Sequence, residues 1–367
     1  MNLTVSKSEL QTRLIAISKI IPSKPSLPIM ASFLFETKDN RLFLASSSEE
    51  GQIKTSIECQ ADAEIKFCIP AASLLDALKS LPEQPIQICL DENNLEIKIK
   101  YSGGKFQMMG QSADDFPTMK PVDSVGSITL SNKDFNTYIS RVQHLAADSD
   151  LRPILNAVFI ESGDGKINFV GTDGYAMGVV TKMVEGCDEI SLIISKKIAG
   201  ILKSIVPNTE DEIKIEVGKT NAHLSFSDFE MIFRQVEGKY PNYRSVIPNN
   251  KKILKINTES LKGACNRVSV FSGISKLVTF DVDSEQLTIT SKDVDFSTGG
   301  EEAVSCEFNS DKMQVYLKTD ILSSILQYIH SGCTHIHLED ATKAVLVFPE
   351  ENKSGEELLY LMMPYAI

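Results

Sequence analysis

The sequence copies itself three times, and that constrains the fold more than any single motif. Three segments share a polar opening followed by an amphipathic helical pattern: "VSKSELQTRLIAISKI" from Val5, "LSNKDFNTYISRVQHL" from Leu130 and "INTESLKGACNRVSVF" from Ile256. By subtraction their first core positions, Leu10, Phe135 and Leu261, lie 125 and 126 residues apart. A second helix recurs in "PAASLLDALKSLP", "SKKIAGILKSIVP" and "KTDILSSILQYIH", where Leu74, Ile198 and Leu322 are each 124 apart, as are Leu78, Leu202 and Leu326. Each such pair is an i, i+4 pair on one helix face. A third signature closes each copy, in "DDFPTMKP", "GKYPNYRSVIP" and "YLMMPYAI".

Between these landmarks run short stretches of alternating apolar and polar residues, "SFLFET", "LEIKIKY", "AVFIE", "EIKIEV", "LTITS" and "HIHLE". Such runs predict half-buried antiparallel strands. Each copy is therefore an α+β unit of two helices and roughly eight strands. A period this long marks a repeated domain rather than a solenoid. The expected domains are residues 1–122, 123–250 and 251–367. A chain of 367 residues exceeds what one core usually serves, which agrees with several domains.

The chemistry-bearing motifs read as structure. "GTDGYAMG", residues 171 to 178, has the composition of a phosphate loop, but strand patterns flank it and no helix follows to offer its N-terminus. Its Asp173 has no His or Lys partner in the motif and is expected to cap its own backbone. "VGKTNAHLSF" copies the end of a nucleotide-binding loop at Gly218, Lys219 and Thr220, yet Ile213 stands where the upstream glycine belongs, so it predicts a hairpin. His335 and His337 share a strand face without further ligands at metal-binding spacing. No nucleophile elbow is present. Neither catalysis, a metal nor a cofactor is expected. Seven scattered cysteines suit free thiols in a reducing cytoplasm, and no apolar run approaches a membrane span.

A formal net charge of -12 argues against nucleic acid at first sight. The basic residues, however, cluster on the helical patterns, including Lys79, Lys196, Lys197 and Lys203, while the acids concentrate in "SSSEE", "DVDSEQ" and "PEENKSGEE". That distribution predicts a helix-borne positive surface on an acidic body.

From "MNLTVSKSEL" to "YLMMPYAI", and through "KPSLPIMASFLFET", "RPILNAVFIE", "TDGYAMG" and "EGKYPNYRSVIP", the chain resembles the bacterial sliding clamps, the beta subunits of DNA polymerase III. The resemblance implies a head-to-tail homodimer closing a ring of six similar domains, helices inside and sheets outside. Twelve helices at ~8–10 Å between axes would line a hole about 30–38 Å wide, enough for duplex DNA and water. It implies DNA contact at Lys24 and in the loop of Ser149, Arg152, Pro153 and Ile154, although Pro153 and Ile154 stand where aromatic residues can occur. It implies a subunit interface of Phe106 and Met108 against Val270 and Phe271.

It also implies a hydrophobic pocket walled by Leu155, Thr172, Gly174, Tyr175, Met177, Pro241, Val246, Met362, Met363 and Pro364. There the polymerase III catalytic subunit, the clamp loader, other polymerases and repair proteins would insert linear motifs. Tyr175 and Met177 are expected to face outward, with Met362 and Met363 as adaptable apolar surface. Ala176, Ser245 and Ala366 replace the arginines common at the rim in relatives, so ligands should depend on Leu or Phe anchors. The alternatives are a static DNA-binding or scaffold protein built on three repeats, and an enzyme with an unrecognised site.

Overall fold

A computed structural model describes residues 1–149, 151–293 and 296–365. Six α-helices occur among them: α1 (Lys7–Ser18), α2 (Ala71–Lys79), α3 (Asn132–Gln143), α4 (Lys196–Ile205), α5 (Thr258–Ser269) and α6 (Thr319–Leu326). Each repeat reads strand, helix, four strands, helix, three strands, with two short extra strands in the first. The repeated core positions are all sequestered: Leu10, Phe135, Leu261, Leu74, Ile198, Leu322, Leu78, Leu202 and Leu326 have no accessible surface. Local chemistry starts the helices where the polar openings predicted. Ser6 Oγ accepts from the Glu9 N–H to cap α1, and Asn257 Oδ1 accepts from the Ser260 N–H at 2.9 Å to cap α5.

The strands of neighbouring repeats join edge to edge. The chain forms two compact units: residues 1–136 with 200–235, and residues 137–199 with 236–367. In the first, a five-stranded sheet ends on the strand Gly104–Met109, and a nine-stranded sheet carries Gly51–Glu58 against Phe229–Arg234 through Thr55 and Phe229. In the second, one twelve-stranded sheet carries Ala176–Met183 against Glu356–Met362. Pairing satisfies the backbone groups that separate repeats would leave open.

Register is preserved between copies. Leu34 pairs with Ala45 and Cys68, and 125 residues on by subtraction Phe159 pairs with Val170 and Ile193. The same shift relates Ala45 with Lys54 to Val170 with Val179.

One polar network is buried in the second unit. The Glu356 carboxylate accepts from the Tyr138 hydroxyl at 2.7 Å and pairs with Arg141 at 3.3 Å and Lys182 at 3.8 Å. Two cations and a hydroxyl offset the desolvation of the acid.

Candidate functional site

The "GTDGYAMG" stretch is a hairpin between the strands Lys166–Thr172 and Ala176–Met183. Asp173 Oδ1 accepts from the N–H groups of Tyr175 and Ala176, both at 2.7 Å. Thr172 Oγ1 donates to the Ala176 carbonyl at 2.6 Å and accepts from the Gly174 N–H at 3.0 Å. Both polar side chains thus hold the turn, as the sequence predicted for Asp173. Gly174 takes φ +94°, a conformation that side-chain-bearing residues rarely adopt.

This geometry throws Tyr175 into solvent, 69% exposed, and its carbonyl accepts from the Met363 N–H at 2.8 Å. The chain end therefore lies along the turn. Between them sits a recess of about 750 Å³ lined by Gly174, Tyr175, Met363 and Pro364, four of the expected residues. Asp173, Lys318, Ile321 and Tyr365 complete the lining. The last three were missed, though they lie in quoted stretches: Lys318 is the residue before α6, Ile321 lies in its first turn, and Tyr365 follows the closing Met-Met-Pro.

The other expected walls fall elsewhere. Met177 is 2% exposed and Met362 fully buried, because Ala176 and Met177 pair with Met362 and Leu361 in mid-sheet. The expected outward Met177 and adaptable Met362 are corrected accordingly; they point to opposite faces of the sheet, both faces are covered there, and of these methionines Met363 alone remains at the surface. Leu155 and Thr172 are buried too, Leu155 lying 3.9 Å from where a Cβ on Gly174 would stand. Pro241 and Val246 are exposed but do not line the recess. Of the expected rim positions, Ala176 is buried, Ser245 is exposed, and Ala366 lies outside the described residues. Lys318 supplies a cation at the recess and sits 5.8 Å from the Tyr365 ring centroid.

The basic residues differ in how they are held. Lys24, Lys79 and Lys203 are exposed, and Lys79 lies 3.5 Å from Asp76. Lys196 is committed, donating to the Ala146 carbonyl and to Asp148 at 2.6 Å each. Lys197 lies beside it at the start of α4. Ser149, Arg152 and Pro153 are exposed and Ile154 half-buried in an irregular turn.

Two of the open sheet margins carry the expected interface residues or lie against them. Gly104–Met109 is the last strand of its sheet, with Phe106 and Met108 half-buried on one face and the Phe106 ring 5.0 Å from that of Tyr101. In the second unit, residues 298–305 pair on one side with Gln286–Asp293, and residues 306–308 alone reach Lys252–Asn257. Val270 and Phe271, just past α5, are exposed, and Phe271 packs over this margin: a Cβ on Gly300 would lie 2.8 Å from its ring. Ile274 and Phe296 add exposed apolar surface beside them that sequence reading did not single out.

Among the described residues no cluster of three or more His, Cys, Asp or Glu could hold a metal, and no helix is long and apolar enough to cross a membrane. Gly218, Lys219 and Thr220 form the hairpin between Glu212–Val217 and Asn221–Phe226.

Comparison with known proteins gives these parts a context. Models of the N-terminal, central and C-terminal domains of the DNA polymerase III beta subunit match residues 1–120, 129–242 and 244–365. The beta sliding clamps of Vibrio cholerae and Escherichia coli are each 23% identical over 99% of both chains. Among solved structures, the sliding clamp of Pseudomonas aeruginosa bound to griselimycin superposes with TM-score 0.94 at 21% identity, covering 100% of both chains. The beta subunit of Thermotoga maritima does so at 0.92 and 23%, covering 100% of this chain and 99% of that one. The threefold α+β repeat and its domain matches define a DNA sliding clamp, a processivity factor of replication. The chain belongs to the DNA polymerase III beta subunit family.

Proposed function

We propose that the recess beside Tyr175 and Met363 receives the linear motifs by which the polymerase III catalytic subunit, the clamp loader and other polymerases and repair proteins hold a clamp. The observation that carries this is the backbone link between the "GTDGYAMG" turn and the chain end, with an exposed tyrosine, an exposed methionine and a half-buried proline around one recess. Apolar anchors enter between Tyr175, Met363 and Ile321. Lys318 adds a cation there, so a ligand acid near the anchor gains more than the rim substitutions alone suggest.

Three clamp domains, residues 1–122, 123–250 and 251–367, supply the other parts. Lys24, Lys79, Lys197 and Lys203, with Ser149 and Arg152, meet phosphates without reading bases, which sliding requires. Lys196 acts through the Asp148 loop that it ties down. Two chains join head to tail when the open edge at Gly104–Met109 meets residues 298–305, with Phe106, Met108, Val270 and Phe271 packing across. The clamp is cytoplasmic, non-catalytic and requires no cofactor.

Deleting residues 363–367 tests the pocket directly. Partner peptides should lose binding and polymerase stimulation should vanish, while dimerisation and loading on DNA persist. Peptides that bind the truncated clamp as well as the intact one would refute the assignment.

A further inference from the structure

The walls of the recess between the "GTDGYAMG" turn and the chain end are open to solvent: Tyr175 is 69% exposed, Tyr365 50% and Met363 43%. An apolar ligand group therefore meets a free face there. The strand Met313–Lys318 lies last in the twelve-stranded sheet, and the chain end is pinned between it and the turn. The Tyr365 N–H donates to the Tyr316 carbonyl and the Met363 N–H to the Tyr175 carbonyl, each at 2.8 Å. A wall fixed by main-chain bonds on both sides is formed before a ligand arrives, so binding costs little ordering.

One cation stands in this apolar setting. Lys318 is half-buried at the end of its strand, immediately before α6, and its side chain caps no backbone group of that helix. Its Nζ instead lies 5.8 Å from the Tyr365 ring centroid, and among the described residues it pairs with no carboxylate. The acids around it are committed to backbone. Asp173, which lines the same recess, gives Oδ1 to the Tyr175 and Ala176 N–H groups, and Asp320, two residues along the chain, gives Oδ1 to the Ile321 N–H at 2.8 Å. The start of α6 adds the positive end of a helix dipole. An anchor that fills the recess also displaces the water that screens Lys318, which strengthens its attraction for an anionic group beside that anchor.

Resting on the assignment of this recess to linear motifs, we propose that Lys318 selects among those motifs for ones that carry a carboxylate directly beside the apolar anchor. The anchor packs among Tyr175, Ile321 and Met363, and the carboxylate accepts from Lys318 Nζ where Tyr365 holds it. An Asp or Glu side chain next to the anchor supplies that group, or the partner's own chain terminus does.

The experiment is titration of the full-length protein, by calorimetry or fluorescence anisotropy, with three acetylated peptides that share a Leu-Phe anchor at their C-terminal end. One has Asp before the anchor and a terminal amide, the second has Asn there and the amide, and the third has Asn with a free terminal carboxylate. At least one acidic peptide should bind about fivefold to tenfold tighter than the neutral one, the worth of a partly buried charged hydrogen bond. Which acid gains identifies its source. The preference should shrink with salt, vanish in Lys318→Met and persist in Lys318→Arg. Equal affinity for all three peptides, a preference kept in Lys318→Met, or one lost equally in Lys318→Arg would each overturn the proposal. Deletion of residues 363–367 separates its failure from that of the site. Binding that the deletion abolishes but that shows no preference for acid overturns the role of Lys318 alone. Binding that the deletion leaves intact, or none at about 1 mM peptide, overturns the recess as the motif site and this proposal with it.

Discussion

Single residues carry two sharp expectations. Gly174 holds φ +94° in a turn fixed by Asp173 and Thr172, so Gly174→Ala forces a side chain into strained backbone. It should destabilise the protein by about 1 kcal/mol or more and displace Tyr175, which urea unfolding and peptide titration would read separately. Asp340 accepts from the Thr342 and Lys343 N–H groups and from the Thr342 hydroxyl, which hold its carboxyl down at about 2 from 3.8. Its folded value is depressed, so its contribution is complete above pH 3.8 and lost as pH falls through about 2. In Asp340→Asn that part of the acid limb of the unfolding curve should disappear. A limb unchanged in the variant would show that the turn contributes nothing.

At the scale of elements, the buried Glu356 couples helix α3 to the strand Glu356–Met362 through Tyr138 and Arg141. Glu356→Ala removes the carboxylate that the largely buried Arg141 faces, at a cost of about 3–5 kcal/mol by thermal unfolding. The open sheet edges make a second expectation. Phe106→Ala with Phe271→Ala removes an apolar anchor from each margin, each costing about 2 kcal/mol or more if it is an interface hot spot. Light scattering at micromolar concentration should then find monomer; a persisting dimer would move the interface elsewhere. Both aromatic residues were legible in the sequence through the resemblance, but the free edge of residues 298–305 was not. Which strand lacks a neighbour depends on how all the strands are ordered.

For the whole molecule, retention on DNA should be topological. Affinity for short linear duplex should be weak and fall with salt, whereas clamps loaded on nicked circles should survive high salt and leave when the circle is cut. Equal release before and after linearisation would contradict the ring. Reversing Lys197 and Lys203 to Glu should slow loading and leave the dimer intact. The threefold repeat, the two helices and roughly eight strands of each copy, and the turn reading of "VGKTNAHLSF" and "GTDGYAMG" were legible in the sequence. Those follow from periodicity, turn chemistry and capping, all of which are local. The resemblance, not periodicity, grouped Gly174, Tyr175, Met363 and Pro364, and these four line one recess. Only the tertiary structure decided that Met177 and Met362 face inward, that Lys318, Ile321 and Tyr365 join the recess, and that Lys196 is committed to Asp148. Burial of a strand residue depends on which face is covered, and a recess on which distant segments meet; neither is set by a residue's neighbours in sequence.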